Sequence, residues 1–280
     1  MKEYLDLVKL VMDKGEYKHN ERTGVGTISY FGASYKVDLS KKYPLLTTKK
    51  VNFNAVIYEL LWYLSGEDHI RNLRKHTKIW DAWADDDGNL ETAYGYFWRK
   101  FPSAQKDSAG NWQVKEIDQI QYVIDTLKND PSSRRMVVTA WEPGNATVSK
   151  LPPCHYTYVF NVQKDRLNCH LTQRSADIAL GVPFNIACYA ALTKIMAQET
   201  GFKPGQFSHT LVDAHIYHAK PGSGMEEYDH LEGLKMQLER APRELPTLEI
   251  AQKPINELKF EDFQLKDYNP HEPIRFKVAV

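Results

Sequence analysis

The sequence has no surplus of charge of either sign, with 36 Lys and Arg set against 36 Asp and Glu over 280 residues. That balance excludes a broad basic face of the kind that clamps nucleic acid, so no dedicated nucleic-acid partner is expected. A long apolar run is missing too. The longest uncharged stretch, 178–193, has 16 residues and is broken by Gly181, Pro183 and Asn185, too short and too interrupted to cross a bilayer. The opening MKEYLDLVKL carries charges through its apolar positions, unlike a signal-peptide core, so a protein with no membrane attachment is expected. Cysteine is scarce: Cys154, Cys169 and Cys188 are odd in number and lack metal-ligand spacing, which argues against a disulfide framework and a metal site. Free thiols in a reducing cytoplasm are the simplest expectation.

No internal repeat, low-complexity tract or long Pro/Gly/Ser linker interrupts the chain. With 42% hydrophobic and 26% charged residues, it reads as one ordinary globular domain over 1–280. Phe53, Val56, Ile57, Leu60, Leu61 and Leu64 predict a helix over 53–66 closed by Gly66. Further helices are predicted through Ile117, Ile120, Ile124 and Leu127, ending at Asp130-Pro131, and from about Phe184 to Glu199. Strand-like patterns occupy 25–38, 136–141, 156–163 and 167–174, the last two joined by a turn at Lys164-Asp165-Arg166. Two polar stretches, Pro102–Val114 and His218–Glu226, read as loops. Helices and strands mix without regular alternation, which predicts an α+β fold with a mixed or antiparallel sheet covered by helices.

Several residues are candidates for chemistry. Cys154 follows two prolines that impose an extended approach, placing a thiol at a strand mouth where His155 or a nearby arginine would favour its thiolate. An inert buried thiol is the alternative. Arg22, Arg134, Arg135 and Arg174 sit in turns or at strand ends, where a guanidinium suits capture of a phosphate or serves as a plain surface charge. Asp177 and Asn185 lie within an apolar run; they read either as helix caps or as groups that hydrogen-bond a heterocycle. Glu59 lies off the apolar stripe of its helix beside Trp62 and Tyr63, either facing solvent or held among aromatics with a raised pKa. Trp80, Trp83 and Tyr94 form an aromatic-acidic cluster suited to stacking a planar ligand or to filling a core. His215 and Tyr217 alternate on a predicted strand and so share one face.

These segments occur in order: Arg-Thr-Gly-Val-Gly-Thr at 22–27, Pro-Leu-Leu-Thr-Thr-Lys-Lys at 44–50, Glu-Leu-Leu-Trp-Tyr-Leu at 59–64 and Ile-Trp-Asp-Ala-Trp-Ala-Asp at 79–85. Then come Tyr94-Gly95, Asp-Pro-Ser-Ser-Arg-Arg at 130–135, Pro-Pro-Cys-His at 152–155, the run from Gln173 to Ala187, and Asp-Ala-His-Ile-Tyr at 213–217. Nearly end to end, the chain resembles the folate-dependent thymidylate synthases that use a cysteine nucleophile. The resemblance implies that Cys154 attacks carbon 6 of dUMP and that methylene-tetrahydrofolate supplies both a carbon and a hydride, giving dTMP and dihydrofolate. It further implies catalytic roles for Glu59, Tyr94 and Arg174, phosphate binding by Arg22, Arg174 and Ser175, and uracil recognition by Asn185. His215 and Tyr217 would bind the deoxyribose, Trp80, Asp177 and Asn52 the folate, and Ala279-Val280 would close as a lid. A homodimer is implied as well, formed through the sheet, with Arg134 and Arg135 reaching the partner's site.

The chain departs from the family pattern at Asn52, where histidine is frequent, at Val212, where glycine is usual, and after Tyr217, where His218-Ala219-Lys220 and a Pro-Gly-Ser-Gly insertion replace an Asn-His pair. Two rival readings follow. One is a pyrimidine hydroxymethylase of the same fold, which Asn185 and Trp80 disfavour; the other is a nucleotide or RNA binder without turnover, for which Cys154 would have no use.

Overall fold

The computed structural model of the chain describes every residue except Arg22, Thr92 and Val280, and the backbone alone at Asn145 and Ala146. Helix α1 (Lys2–Lys14) buries Tyr4, Leu5, Leu7, Val8 and Val11 along one stripe, as its spacing dictates. Short β1 (Glu16–Lys18) leads to the long β2 (Gly26–Asp38) and then to α2 (Phe53–Ser65). Asn52 caps α2 by accepting a hydrogen bond from the Ala55 N–H at 3.2 Å, and Gly66 ends it at φ 73°, a conformation that costs a residue without a Cβ little. Next are α3 (Tyr94–Lys100), β3 (Phe101–Lys106), β4 (Trp112–Ile117), α4 (Gln119–Asn129), β5 (Val137–Thr139) and the single turn α5 (Asn145–Val148). The chain continues through β6 (His155–Gln163), β7 (Arg166–Asp177), α6 (Gly181–Thr200), β8 (Lys203–His218), α7 (Leu231–Glu239), β9 (Thr247–Ile250) and β10 (Phe263–Lys266).

Six strands form one sheet in the order β1-β2-β8-β7-β6-β5. Every pairing is antiparallel except β7 with β8, which α6 joins as a crossover. The sheet is therefore mixed, and the α+β architecture agrees with the sequence pattern. Helix α6 is largely apolar and, apart from Phe184 and Lys194, buried from Val182 to Ala197, because it lies between the sheet and α2. The parallel pair has a consequence for function. The carboxyl ends of β7 and β8 and the amino end of α6 meet at one edge of the core, with Ser175 opposite Asp213 and Asp177 opposite His215.

The structure corrects two expectations. Pro102–Val114 is not a loop but most of a hairpin, β3 with β4, tightened where Asp107 accepts hydrogen bonds from the Ala109 and Asn111 N–H groups. Most of its residues face solvent, so no alternation marked the strands; Pro102 is tolerated because a two-stranded ribbon consists of edges. Helix α6 also begins three residues before Phe184, which places Asn185 inside the helix rather than at its cap.

Where α2 crosses α3 the backbones approach closely enough that a Cβ on Gly95 would run into the Tyr63 backbone. Gly95→Ala is expected to destabilise the fold by roughly 1–3 kcal/mol, since neither helix has room to withdraw. Urea unfolding tests this: a lower midpoint at unchanged slope is expected, and an unchanged midpoint would refute the close-approach argument.

Candidate active site

At the carboxyl edge of β7 and β8 the structure holds a cavity of about 380 Å³. Its walls come from eight parts of the chain. Helix α2 contributes Glu59 and Tyr63, the turns before α3 contribute Ile79, Trp80 and Trp83, and α3 contributes Tyr94. Cys154 and His155 enter from the start of β6, Gln173, Ser175 and Asp177 from β7, Phe184 and Asn185 from α6, and His215 and Tyr217 from β8. Val278 and Ala279 of the C-terminal tail complete it.

The thiol of Cys154 is half-buried at the mouth of β6. Arg174 lies on the neighbouring strand and is held there by the two prolines: its Nε donates to the Pro153 carbonyl at 2.9 Å and its Nη2 to the Pro152 carbonyl at 2.6 Å. The same Nη2 stands 3.7 Å from Cys154 Sγ, so a fixed cation adjoins the sulfur. Extended proline backbone thus does two jobs, presenting the thiol and exposing carbonyls that anchor its cation. The Tyr94 hydroxyl accepts the Cys154 N–H at 2.6 Å, which leaves its own proton free to be donated.

His155 does not provide a second cation, contrary to the possibility raised by its position in the sequence. It is buried, stacked flat on Tyr94 at 3.8 Å, and hydrogen-bonded to the Tyr189 hydroxyl at 2.8 Å. Burial pushes its pKa down to about 3, so the ring is neutral. Cys169 and Cys188 are buried thiols, and burial pushes Cys169 up to about 12, in keeping with an inert core role.

Glu59 is not solvent-facing. The 77–84 segment folds over its side of α2, and Trp80 Nε1 donates to Glu59 Oε1 at 2.7 Å. Burial raises the carboxyl to about 7, although hydrogen bonds from Trp80 and Tyr63 act in the opposite direction. A carboxyl poised near neutrality beside a thiol-bearing cavity is suited to moving protons in both directions. Spacing on α2 brings Tyr63, four residues on, to the same wall.

Asn185 is 8% exposed, and among the described residues its Oδ1 has no hydrogen-bond partner. An amide oxygen left so costs about 1–3 kcal/mol, which a ligand N–H in the cavity would recover. Asp177 serves the fold as well as the cavity: its Oδ1 accepts the Ala179 and Leu180 N–H groups at 2.8 and 3.2 Å and so shapes the turn into α6. His215 is oriented from behind. Its Nδ1 is 3.2 Å from the Asp213 carbonyl, and the Asp213 carboxylate is itself held by Lys18 at 2.8 Å and Ser29 at 2.9 Å. His215 and Tyr217 stand edge to face, 5.4 Å apart, on the shared face that the alternation predicted.

The remaining candidates are distributed differently. Arg134 and Arg135 are exposed just before the edge strand β5 and do not line the cavity of the single chain. Asn52 is an exposed helix cap and is absent from the walls. Arg22 and Val280 lie outside the described residues. Gln173, Phe184 and Leu151 line the cavity although no sequence motif singled out their roles. The chain after Tyr217 lies beside the tail: Ala279 packs with Val25, Tyr217 and Ala219, and Lys277 pairs with Glu227 at 2.5 Å. Among the described residues no group of three or more His, Cys, Asp or Glu is placed to hold a metal ion, and no helix is long and apolar enough to cross a membrane.

The family model for thymidylate synthase matches residues 2–280. A thymidylate synthase from Haloferax volcanii is 49% identical over 327 aligned positions, covering 98% of this chain and 95% of that protein. The chain belongs to the thymidylate synthase family, a family of methyltransferases.

Proposed function

We propose that the cavity carries out the reductive methylation of dUMP to dTMP, with methylene-tetrahydrofolate as co-substrate. One observation carries the reading: a thiol beside a fixed guanidinium opens on the same cavity as a buried, unpartnered amide oxygen. The first can add to an electron-poor ring, and the second requires an N–H on that ring. Uracil supplies both.

In this reading the Cys154 thiolate adds to carbon 6 of the pyrimidine, and the electron pair of the 5,6 double bond moves to carbon 5, which forms the new carbon–carbon bond. Methylene-tetrahydrofolate, when bound, supplies the one-carbon unit and the hydride and leaves as dihydrofolate. Glu59 and Tyr94 handle the protons, through water ordered between them and the ring. Cys154 departs as carbon 6 regains its double bond. Asn185 accepts from the ring N–H and donates to the adjacent carbonyl, and His215 with Tyr217 binds the sugar hydroxyl. Ser175, Arg174 and Arg22 bind the phosphate. The aromatic wall of Trp80, Trp83 and Phe184 fits a flat pterin, with Asp177 at its edge and Ala279 closing above.

Arg134 and Arg135 complete the phosphate site of a second copy in a homodimer built on the open face of the sheet. Their exposure and absence from the walls of their own cavity suit that arrangement, and Phe31, 83% exposed, and Val137, 40% exposed, leave apolar surface for an interface on strands of that sheet. Four guanidiniums at one phosphate would also reconcile a neutral composition with an anionic substrate, because a local cluster focuses field whatever the total charge.

The test is to incubate the protein with dUMP and methylene-tetrahydrofolate, follow dihydrofolate by absorbance and identify the nucleotide by mass. Formation of dTMP is expected; hydroxymethyl-dUMP without dihydrofolate, or no product, would overturn the reading. In the same assay Asn185→Asp is expected to move preference from dUMP toward dCMP by at least tenfold, since an acceptor-only side chain strands the uracil carbonyl. Retained preference for dUMP would refute the role of Asn185.

A further inference from the structure

From the cavity wall a chain of buried and half-buried polar groups crosses three strands. On β2 the Tyr35 hydroxyl lies 2.7 Å from His209 Nδ1, on β8 the other ring nitrogen of His209 lies 3.0 Å from Gln173 Oε1, and on β7 Gln173 Nε2 donates to the Ser175 carbonyl at 3.0 Å. His209 is fully buried and Gln173 is 3% exposed, so water does not compete for the bond between them. Gln173 and Ser175 both line the cavity, while His209 does not.

The donors and acceptors permit one arrangement. The Gln173 nitrogen is used on the Ser175 carbonyl, so the oxygen turned toward His209 must receive a proton donor. His209 therefore carries its hydrogen on Nε2, and the bare Nδ1 accepts from Tyr35. Burial pushes its pKa down to about 3 and so keeps the ring neutral. Phe207 packs against the imidazole at 5.4 Å, and Tyr35 meets it edge to face at 5.3 Å, which restricts its rotation. Among the described residues the Gln173 carboxamide is held at its two ends, by the Ser175 carbonyl and by His209.

We infer that His209 is a positioning residue for the nucleotide: by donating from Nε2 to Gln173 it sets the Gln173 carboxamide, and through it the Ser175 segment, on which the substrate rests. The inference rests on the reading of the cavity as a dUMP site. Without His209 the Gln173 oxygen would be orphaned in the core, and the carboxamide would turn into the cavity to find a donor, in competition with the nucleotide. Ground-state binding would suffer while the thiol, its arginine and the proton-transfer groups stayed in place. The effect belongs in KM rather than kcat.

Two variants and one spectrum test this. His209→Phe keeps the ring shape and loses both bonds; it is expected to raise the KM for dUMP roughly tenfold, with kcat within about threefold of the parent. His209→Gln restores a donor toward Gln173, and its KM is expected to return to within about threefold of the parent. Nitrogen-15 NMR of histidine-labelled parent is expected to show a neutral imidazole protonated on Nε2 that disappears in either variant. An unchanged KM in His209→Phe, equal impairment in both variants, or a ring protonated on Nδ1 would overturn the inference. Should His209→Phe fail to fold, the tautomer and the His209→Gln kinetics decide it. Calorimetric titration with dUMP, run in parallel, reads the same effect as affinity, so the role of His209 is decided even if the parent forms no dTMP; that outcome would count against the dUMP-methylation reading alone.

Discussion

Cys154→Ser is expected to fold, to bind nucleotide within about threefold of the parent, and to lose turnover by roughly 10⁴-fold or more, the scale on which removal of a covalent nucleophile acts. The substitution changes one atom. A serine hydroxyl can still donate to the Pro152 carbonyl that the thiol faces, so the local backbone has no reason to move. The chemistry does change, because a hydroxyl ionises far less readily than a thiol and the Arg174 guanidinium at 3.7 Å supplies charge without accepting a proton. No neutral base stands in for it: His155 is turned to Tyr189, and its ring is already engaged with Tyr94. Steady-state dihydrofolate formation gives the turnover, and intact-mass spectrometry of protein incubated with dUMP and co-substrate shows whether an adduct forms. Residual turnover above about one per cent of the parent would refute Cys154 as the nucleophile.

Glu59→Gln is expected to lower kcat by roughly 10²–10⁴-fold while making the unliganded protein more stable above pH 7. The two effects have one cause. The carboxyl sits in a dry wall of aromatics that lifts its pKa from 4.5 to about 7. Near pH 4 it is protonated in folded and unfolded chains alike, and burial costs no ionisation energy. As pH rises from about 4.5 the unfolded chain releases this proton first, so the folded state loses stability until the folded group also ionises near 7. The shift corresponds to about 3 kcal/mol of stability lost across that window. A glutamine keeps an oxygen for the Trp80 N–H and never ionises, so it is spared that loss. Urea unfolding of parent and variant at pH 4 and pH 8 measures the difference: near-equal stability at the lower pH and a more stable variant at the higher one. A stability gap of the same size at both pH values would remove the argument for a burial-raised carboxyl.

The legibility of the site in the sequence varied from residue to residue. His215 and Tyr217 were legible because strand alternation places them on one face whatever the surroundings. The turn read at Lys164-Asp165-Arg166 was legible to within one residue, since Arg166 already belongs to β7 and pairs with Gln163 across it. Glu59 was not, because its helix position allowed either solvent or burial until the 77–84 segment was seen to cover it. The 101–117 hairpin escaped notice for the opposite reason: a ribbon wet on both faces has no apolar period to display. Asn185 read as a cap as readily as a ligand group, and only the actual start of α6 at Gly181 removed the cap reading.

The amino-acid sequence by itself determined the class of fold, the main helices and strands, the family and the small set of polar residues from which a site could be made, since these follow from periodicity, turn chemistry and ordered motifs local to the chain. Tertiary structure alone decided how those residues meet. The parallel crossover through α6 brings β7, β8 and the α6 terminus to one edge, the proline carbonyls fix Arg174 against Cys154, and the covering aromatics set the protonation of Glu59. Charge, burial and hydrogen-bond direction depend on neighbours far away in the chain, and those neighbours exist only once it has folded.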